Sequence, residues 1–261
     1  MNVILVLIFI LFYLMEEIGG RQGIKSFVAL LLNMLVLFFS ILLMAHHNNP
    51  FLITMAAGII ISCISLFFIN KVSKKTISAF LSVLITLLLM VCVINSLGAV
   101  SKIQGFGEEE YDEISSFSLF VNLNFSKLLV CTMLLGLIGA VIDVAISISS
   151  AMNELYKNNP LLTKKELFRS GMNVGRDILG TMTNTIYFAF LGGYLALLIW
   201  FKDLSYSLGE IVNSKVFCAE IIQVICSSLG ATVVIPVTAG VTTYFMFMKK
   251  QEKKLNGYSR L

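Results

Sequence analysis

Asp143 and Asp177 are the residues in this chain best placed to handle a proton or a cation, because each puts a carboxylate beside long apolar stretches. Asp143 shares a stripe with Gly136, Gly139, Ala140, Ser147 and Ser150, a spacing that gathers small and polar side chains on one side of a helix. Small residues let a second helix approach closely. A charged Asp costs roughly 2.5–3.5 kcal/mol at the centre of a membrane helix, so such a residue usually has a partner or a job. Pairing with a cation such as Arg176, ion coordination and proton relay are the roles open to it.

Between residues 171 and 185, Asn173, Asp177, Thr181 and Asn184 fall at i, i+4, i+8 and i+11, an arc of about 80° on an ideal helix. Arg176 and Asp177 also suit a membrane interface, where Arg snorkels and Asp is favoured near a helix N-terminus. Thr181, Asn184 and Thr185 lie deeper and fit a polar seam. Pro236 removes a backbone hydrogen bond and is expected to kink its helix, and Gly- or Pro-interrupted spans are where transporters bind ions and substrates. The candidate ion- or substrate-binding residues are therefore Asp143, Ser147, Arg176, Asp177, Thr181, Asn184 and Pro236, of which Asp143, Thr181, Asn184 and Pro236 fall in the cytoplasmic half of their spans.

Other chemistries find little support. An intramembrane aspartyl protease needs a Gly-x-Gly-Asp motif, and Ala140-Val-Ile-Asp143 lacks it. The five cysteines (Cys63, Cys92, Cys131, Cys218, Cys226) are scattered through apolar blocks without a Cys-x-x-Cys pair, which suits neither zinc nor a disulfide framework. His46-His47-Asn48-Asn49-Pro50 reads as a turn, since adjacent histidines do not easily face one metal. The acidic run at 108–113 reads as a solvated loop. No catalytic residue, metal or cofactor is expected, and the chain is not read as an enzyme.

The elements that carry these residues are blocks of apolar sequence. Of 261 residues 57% are hydrophobic and 13% charged, against about 25% charged in a soluble domain. The blocks run to roughly 20 residues, enough for a helix to cross a hydrocarbon core, and in lipid the backbone must be paired within each segment. The fold class is all-α: one polytopic transmembrane helix bundle over 1–261. About seven spans are expected, near 3–15, 26–45, 51–69, 77–99, 128–151, 178–201 and 221–245.

Charge sets the orientation. Fifteen of the nineteen basic residues follow spans 1, 3, 5 and 7; Lys102, Lys127, Lys202 and Lys215 fall on the other side with the acidic run. The positive-inside rule then puts the N-terminus outside and the C-terminus in the cytoplasm. The net charge of +4 follows the membrane and gives no nucleic-acid signal. The expected partner is the lipid bilayer.

From Gly136 to Gly193 the chain resembles the YibE/F-like family of bacterial multi-pass membrane proteins. Gly139-Ala-Val-Ile-Asp143-Val-Ala with Ser147, Ser149 and Ser150 carries the likeness, as does the long string from Glu166 through Gly171-Met-Asn-Val-Gly-Arg-Asp177 to Thr185. Gly19-Gly20-Arg21-Gln22-Gly23 and Ile235-Pro-Val-Thr238 extend it over nearly the whole chain. The resemblance implies the bacterial cytoplasmic membrane and a family often suggested to transport, without assigning a residue to a role. Some members look longer, with an extracytoplasmic region that this chain lacks, which leaves open a second family-related membrane protein, or a homo-oligomer, as partner. The leading expectation is a transporter or permease-like protein with a polar site on spans 5–7. The rival is a non-transporting partner or regulatory subunit whose polar seam is structural.

Overall fold

The structure, a computed structural model, describes residues 3–45, 49–101 and 125–258. The turn at 46–48 and the acidic run at 108–113 lie outside the described residues. Among the described residues eight helices follow in order: α1 (Val3–Ala45), α2 (Pro50–Cys63), α3 (Lys74–Ser101), α4 (Phe125–Asn158), α5 (Lys164–Gly193), α6 (Leu195–Asp203), α7 (Leu208–Asn213) and α8 (Lys215–Tyr258), with a π-helical turn at Ile64–Phe68 continuing α2. No strand occurs among the described residues. Among the described residues five helices are long and apolar enough to cross a membrane, or six if the bent pair α5–α6 counts as one span. Their outward faces are apolar, with Phe9 71% and Met34 69% exposed, as in a multi-pass membrane protein.

Helix α1 joins the two spans expected at 3–15 and 26–45, yet it is no straight rod. Phe12 and Phe27 lie edge to face with ring centroids 5.0 Å apart, whereas fifteen residues of straight helix would separate them by about 22 Å. The chain folds back at Gly20, whose φ of 53° and ψ of −135° belong to a region that glycine alone enters at little cost. Three residues on, a Cβ at Gly23 would stand 1.7 Å from the Met15 carbonyl oxygen, so the second arm can approach the first only because that position is bare. These two contacts give the Gly19–Gly23 string a structural reason.

Local signals explain the other boundaries. Asn49 caps α2, its side chain accepting from the Phe51 amide, with Pro50 in the first turn, where proline's missing N–H costs nothing. Ser65 in the π-turn accepts from the Asn33 amide at 3.0 Å, tying α1 to this element. α5 begins at Lys164, well before the span expected from 178, because Thr163 and Glu166 form a reciprocal capping box that starts a helix regardless of hydropathy. The expected span 178–201 is interrupted: α5 stops at Tyr194 and α6 departs at 52°. By contrast α8 stays helical through Pro236, so the broken span is the α5–α6 pair.

The core lies among α3, α4, α5 and α8. Val83, Leu87, Leu137, Val141, Ile148, Val234 and Ala239 are almost wholly buried there. Two glycines seat α5: a Cβ at Gly171 would meet Met152 Sδ at 2.5 Å, and one at Gly175 would meet Ile235 Cγ2 at 2.2 Å. α3 and α8 also share a polar contact, Thr242 Oγ1 to Ser78 Oγ at 3.2 Å. Most buried hydroxyls, such as Ser82 to the Ser78 carbonyl, turn back on their own helix, which satisfies a polar atom inside an apolar bundle.

Candidate functional site

Above the seam sealed by Gly171 and Gly175, α4, α5 and α8 part around a cleft of about 560 Å³. From α4 come Thr132, Gly136, Gly139, Ala140 and Asp143; from α5, Thr185 and Phe190 among others; from α8, Glu220, Gln223 and Ser227. Small residues on α4 make the space. Nothing stands within 4 Å of a Cβ built at Gly139, while at Gly136 the Gln223 amide lies 2.7 Å away. The Gly–Ala–Asp stripe thus borders a cavity on this side, where close helix contact was expected of it.

Two carboxylates face the cleft. Glu220 accepts from the Tyr194 hydroxyl at 2.5 Å, and Tyr194 is placed by the break between α5 and α6. Its ring packs on Phe190 at 5.4 Å, Phe190 reaches Phe217, and Phe217 meets the fully buried Phe201, so an aromatic cluster fixes that corner. Asp143, nearer the middle of α4, is exposed to the cleft and makes no hydrogen bond or ion pair among the described residues. Among the described residues no Lys, Arg or His lines the cleft. A walled space whose described lining holds acids and no base attracts cations and repels anions. Hydroxyls of Thr132, Thr185 and Ser227 and the Gln223 amide supply further oxygens. No group of three or more His, Cys, Asp or Glu suited to a metal occurs among the described residues. The arrangement is fit to hold a proton or a cation on oxygen ligands.

Of the seven residues singled out from sequence, the structure brings Asp143 alone into this cleft. Ser147, Arg176, Asp177, Thr181, Asn184 and Pro236 are exposed elsewhere on the chain's surface. Arg176 makes no ion pair with Asp143 among the described residues; the ion pair that occurs there is Lys157–Glu154 at 2.9 Å. The Thr181 hydroxyl donates to the Ile178 carbonyl and the Thr185 hydroxyl to the Thr181 carbonyl. The cleft also lies in the half of the bundle away from the 158–164 connection, opposite to the half expected. Sequence reading missed Glu220, Gln223 and Tyr194. Glu220, Gln223 and Ser227 recur at i, i+3 and i+7, a spacing that marks one helical face.

Residues 5–248 match the family described as YibE/F-like protein. No curated protein and no solved structure matches the chain.

Proposed function

The chain belongs to the YibE/F-like family, and we propose that it is a membrane transporter in which the cleft among α4, α5 and α8 carries a cation or proton. The observation that carries the proposal is the pair Asp143 and Glu220 facing one space with no basic residue among the described residues that line it. Intramembrane carboxylates are costly and mark ion pathways and proton relays. The break at Gly193–Tyr194 beside the cleft is the kind of interruption that lets a span move or expose backbone.

Seven crossings of the bacterial cytoplasmic membrane complete the reading, the two arms of α1 counting separately. The N-terminus lies outside and the Gly20 turn, with Arg21 and Lys25, inside. In this orientation the cleft occupies the outer half of the bundle, with Asp143 at its floor. A single cysteine at Ser205 in a cysteine-free background should react with impermeant reagent in intact cells, and one at Asn159 should not. The reverse labelling would overturn the orientation.

A substrate-panel flux assay in proteoliposomes tests the function. Wild-type protein should move a cation, or protons with a co-substrate, and Glu220→Gln should slow it. No flux for any cation or proton-coupled solute would favour the second reading, a non-transporting partner subunit, which the outward polar face of α5 also suits.

A further inference from the structure

Helix α5 carries a second polar face that the cleft does not use. Asn173, Arg176, Asp177, Gly180, Thr181 and Asn184 are all exposed and share an arc of about 140°. Neither Arg176 nor Asp177 has an ion-pair partner among the described residues. Their depth follows from the packing on the other side of the helix. Gly171 sits against Met152 and Gly175 against Ile148, so Arg176 and Asp177 lie near the level of Ile148. That is six residues, about 9 Å, beyond the exposed Glu154 on α4. The ion pair Glu154–Lys157, 59% and 61% exposed, lies between that level and the helix end. Asn184 lies eight residues, about 12 Å, further along the helix, and polar groups at that depth are expensive against lipid and are normally covered.

We infer that this face of α5 is the contact between two copies of the chain, related by a twofold axis along the membrane normal. The argument is one of self-complementarity. Such an axis sets each residue against the same level of the other copy and the left flank of one helix against the right flank of the other. Asn173, Gly180 and Asn184 run down the centre of the face, with Arg176 on one flank and Asp177 on the other at nearly the same height. Arg176 of each copy then meets Asp177 of its mate, twice. Nothing stands within 4 Å of a Cβ at Gly180, so the backbones can close there, and the central asparagines can bond across the axis. A different partner would need to present both charges in the same mirrored order; a second copy supplies them by symmetry.

The test uses the full chain with its five native cysteines replaced, reconstituted at high lipid dilution. Single cysteines at Gly180 or Asn184 should form a disulfide-linked dimer under mild oxidation, while one at Leu88, exposed on α3, should not. In the Asn184→Cys background, Arg176→Asp should lower crosslinking by about fivefold or more, because like charges then oppose across the interface. Adding Asp177→Arg should restore it. Counting copies by photobleaching of fully native-sequence protein should give two per particle. Single copies, equal crosslinking at Leu88, failure of the double exchange to restore the dimer, or crosslinking at Asn184 only to a different protein in native membranes would each overturn the inference.

Discussion

Along α4, Gly136, Gly139, Ala140 and Asp143 border a cleft inside the bundle, whereas along α5, Asn173, Asp177, Gly180 and Asn184 point away from it. Both stripes mix glycine with polar side chains at helical spacing, and from sequence they read as two halves of one seam. The difference lies in which side of each helix carries its close-packing residues. On α5 the contact glycines are Gly171 and Gly175, buried against Met152 and Ile235, and the polar arc lies on the other side. On α4 the core face is Leu137, Val141 and Ile148, and the small residues beside it open onto the cleft. Periodicity states which residues share a face; packing decides what that face meets.

The sharpest way to break this contrast is to fill one stripe and decorate the other. Gly139→Leu has room for its side chain and should fold normally, yet it should cut flux by about tenfold or more by occupying the cleft. Asn184→Leu, on the outward stripe, should leave flux unchanged. Equal losses in the two variants, measured in the same liposome assay, would erase the distinction.

The second contrast compares two glycines five residues apart on α5. Gly175→Ala pushes a methyl into Ile235 and Ile148 and should cost about 1–3 kcal/mol through overpacking. Gly180→Ala meets nothing within the chain and should leave the monomer as stable or better by up to about 1 kcal/mol, since alanine favours helix over glycine. Thermal unfolding in dilute detergent, where copies separate, should place the two midpoints on opposite sides of wild type.

A smaller effect is expected at the aromatic corner. Tyr194→Phe keeps the ring against Phe190 and removes the donor to Glu220, a change of about 1 kcal/mol for one hydrogen bond. Unfolding should shift slightly downward while the Asp143-dependent flux persists. Loss of all flux would mean that Tyr194 does more than hold Glu220.

The chain's apolar blocks were legible because a membrane helix is written in its composition; the α4 stripe was legible because its period is regular. Glu220 was not, since a span read as starting at 221 leaves its own carboxylate in the loop, while the helix begins at Lys215. The start of α5 was missed for the converse reason: Thr163-Lys-Lys-Glu166 makes a helix by capping, and hydropathy is blind to it. Pro236 suggested the interrupted span, yet α8 continues through it. The interruption falls at Gly193–Tyr194, where Tyr194 leaves helical geometry at φ −105° and ψ 14°. The Gly20 reversal needed two contacts across the turn, Phe12–Phe27 and Met15–Gly23, which no local pattern reports.

The central claim, that Asp143 works in the cleft and is not a structural strut, is tested most directly by measuring flux and thermal stability on the same purified Asp143→Asn protein. Asp143 has no ion-pair partner among the described residues, so asparagine strands no buried cation and keeps the side chain's shape. The account predicts an unfolding midpoint within a few degrees of wild type and flux lowered by about tenfold or more. A stable variant with undiminished flux would remove Asp143 from the mechanism, and a variant that fails to fold would make it a structural residue.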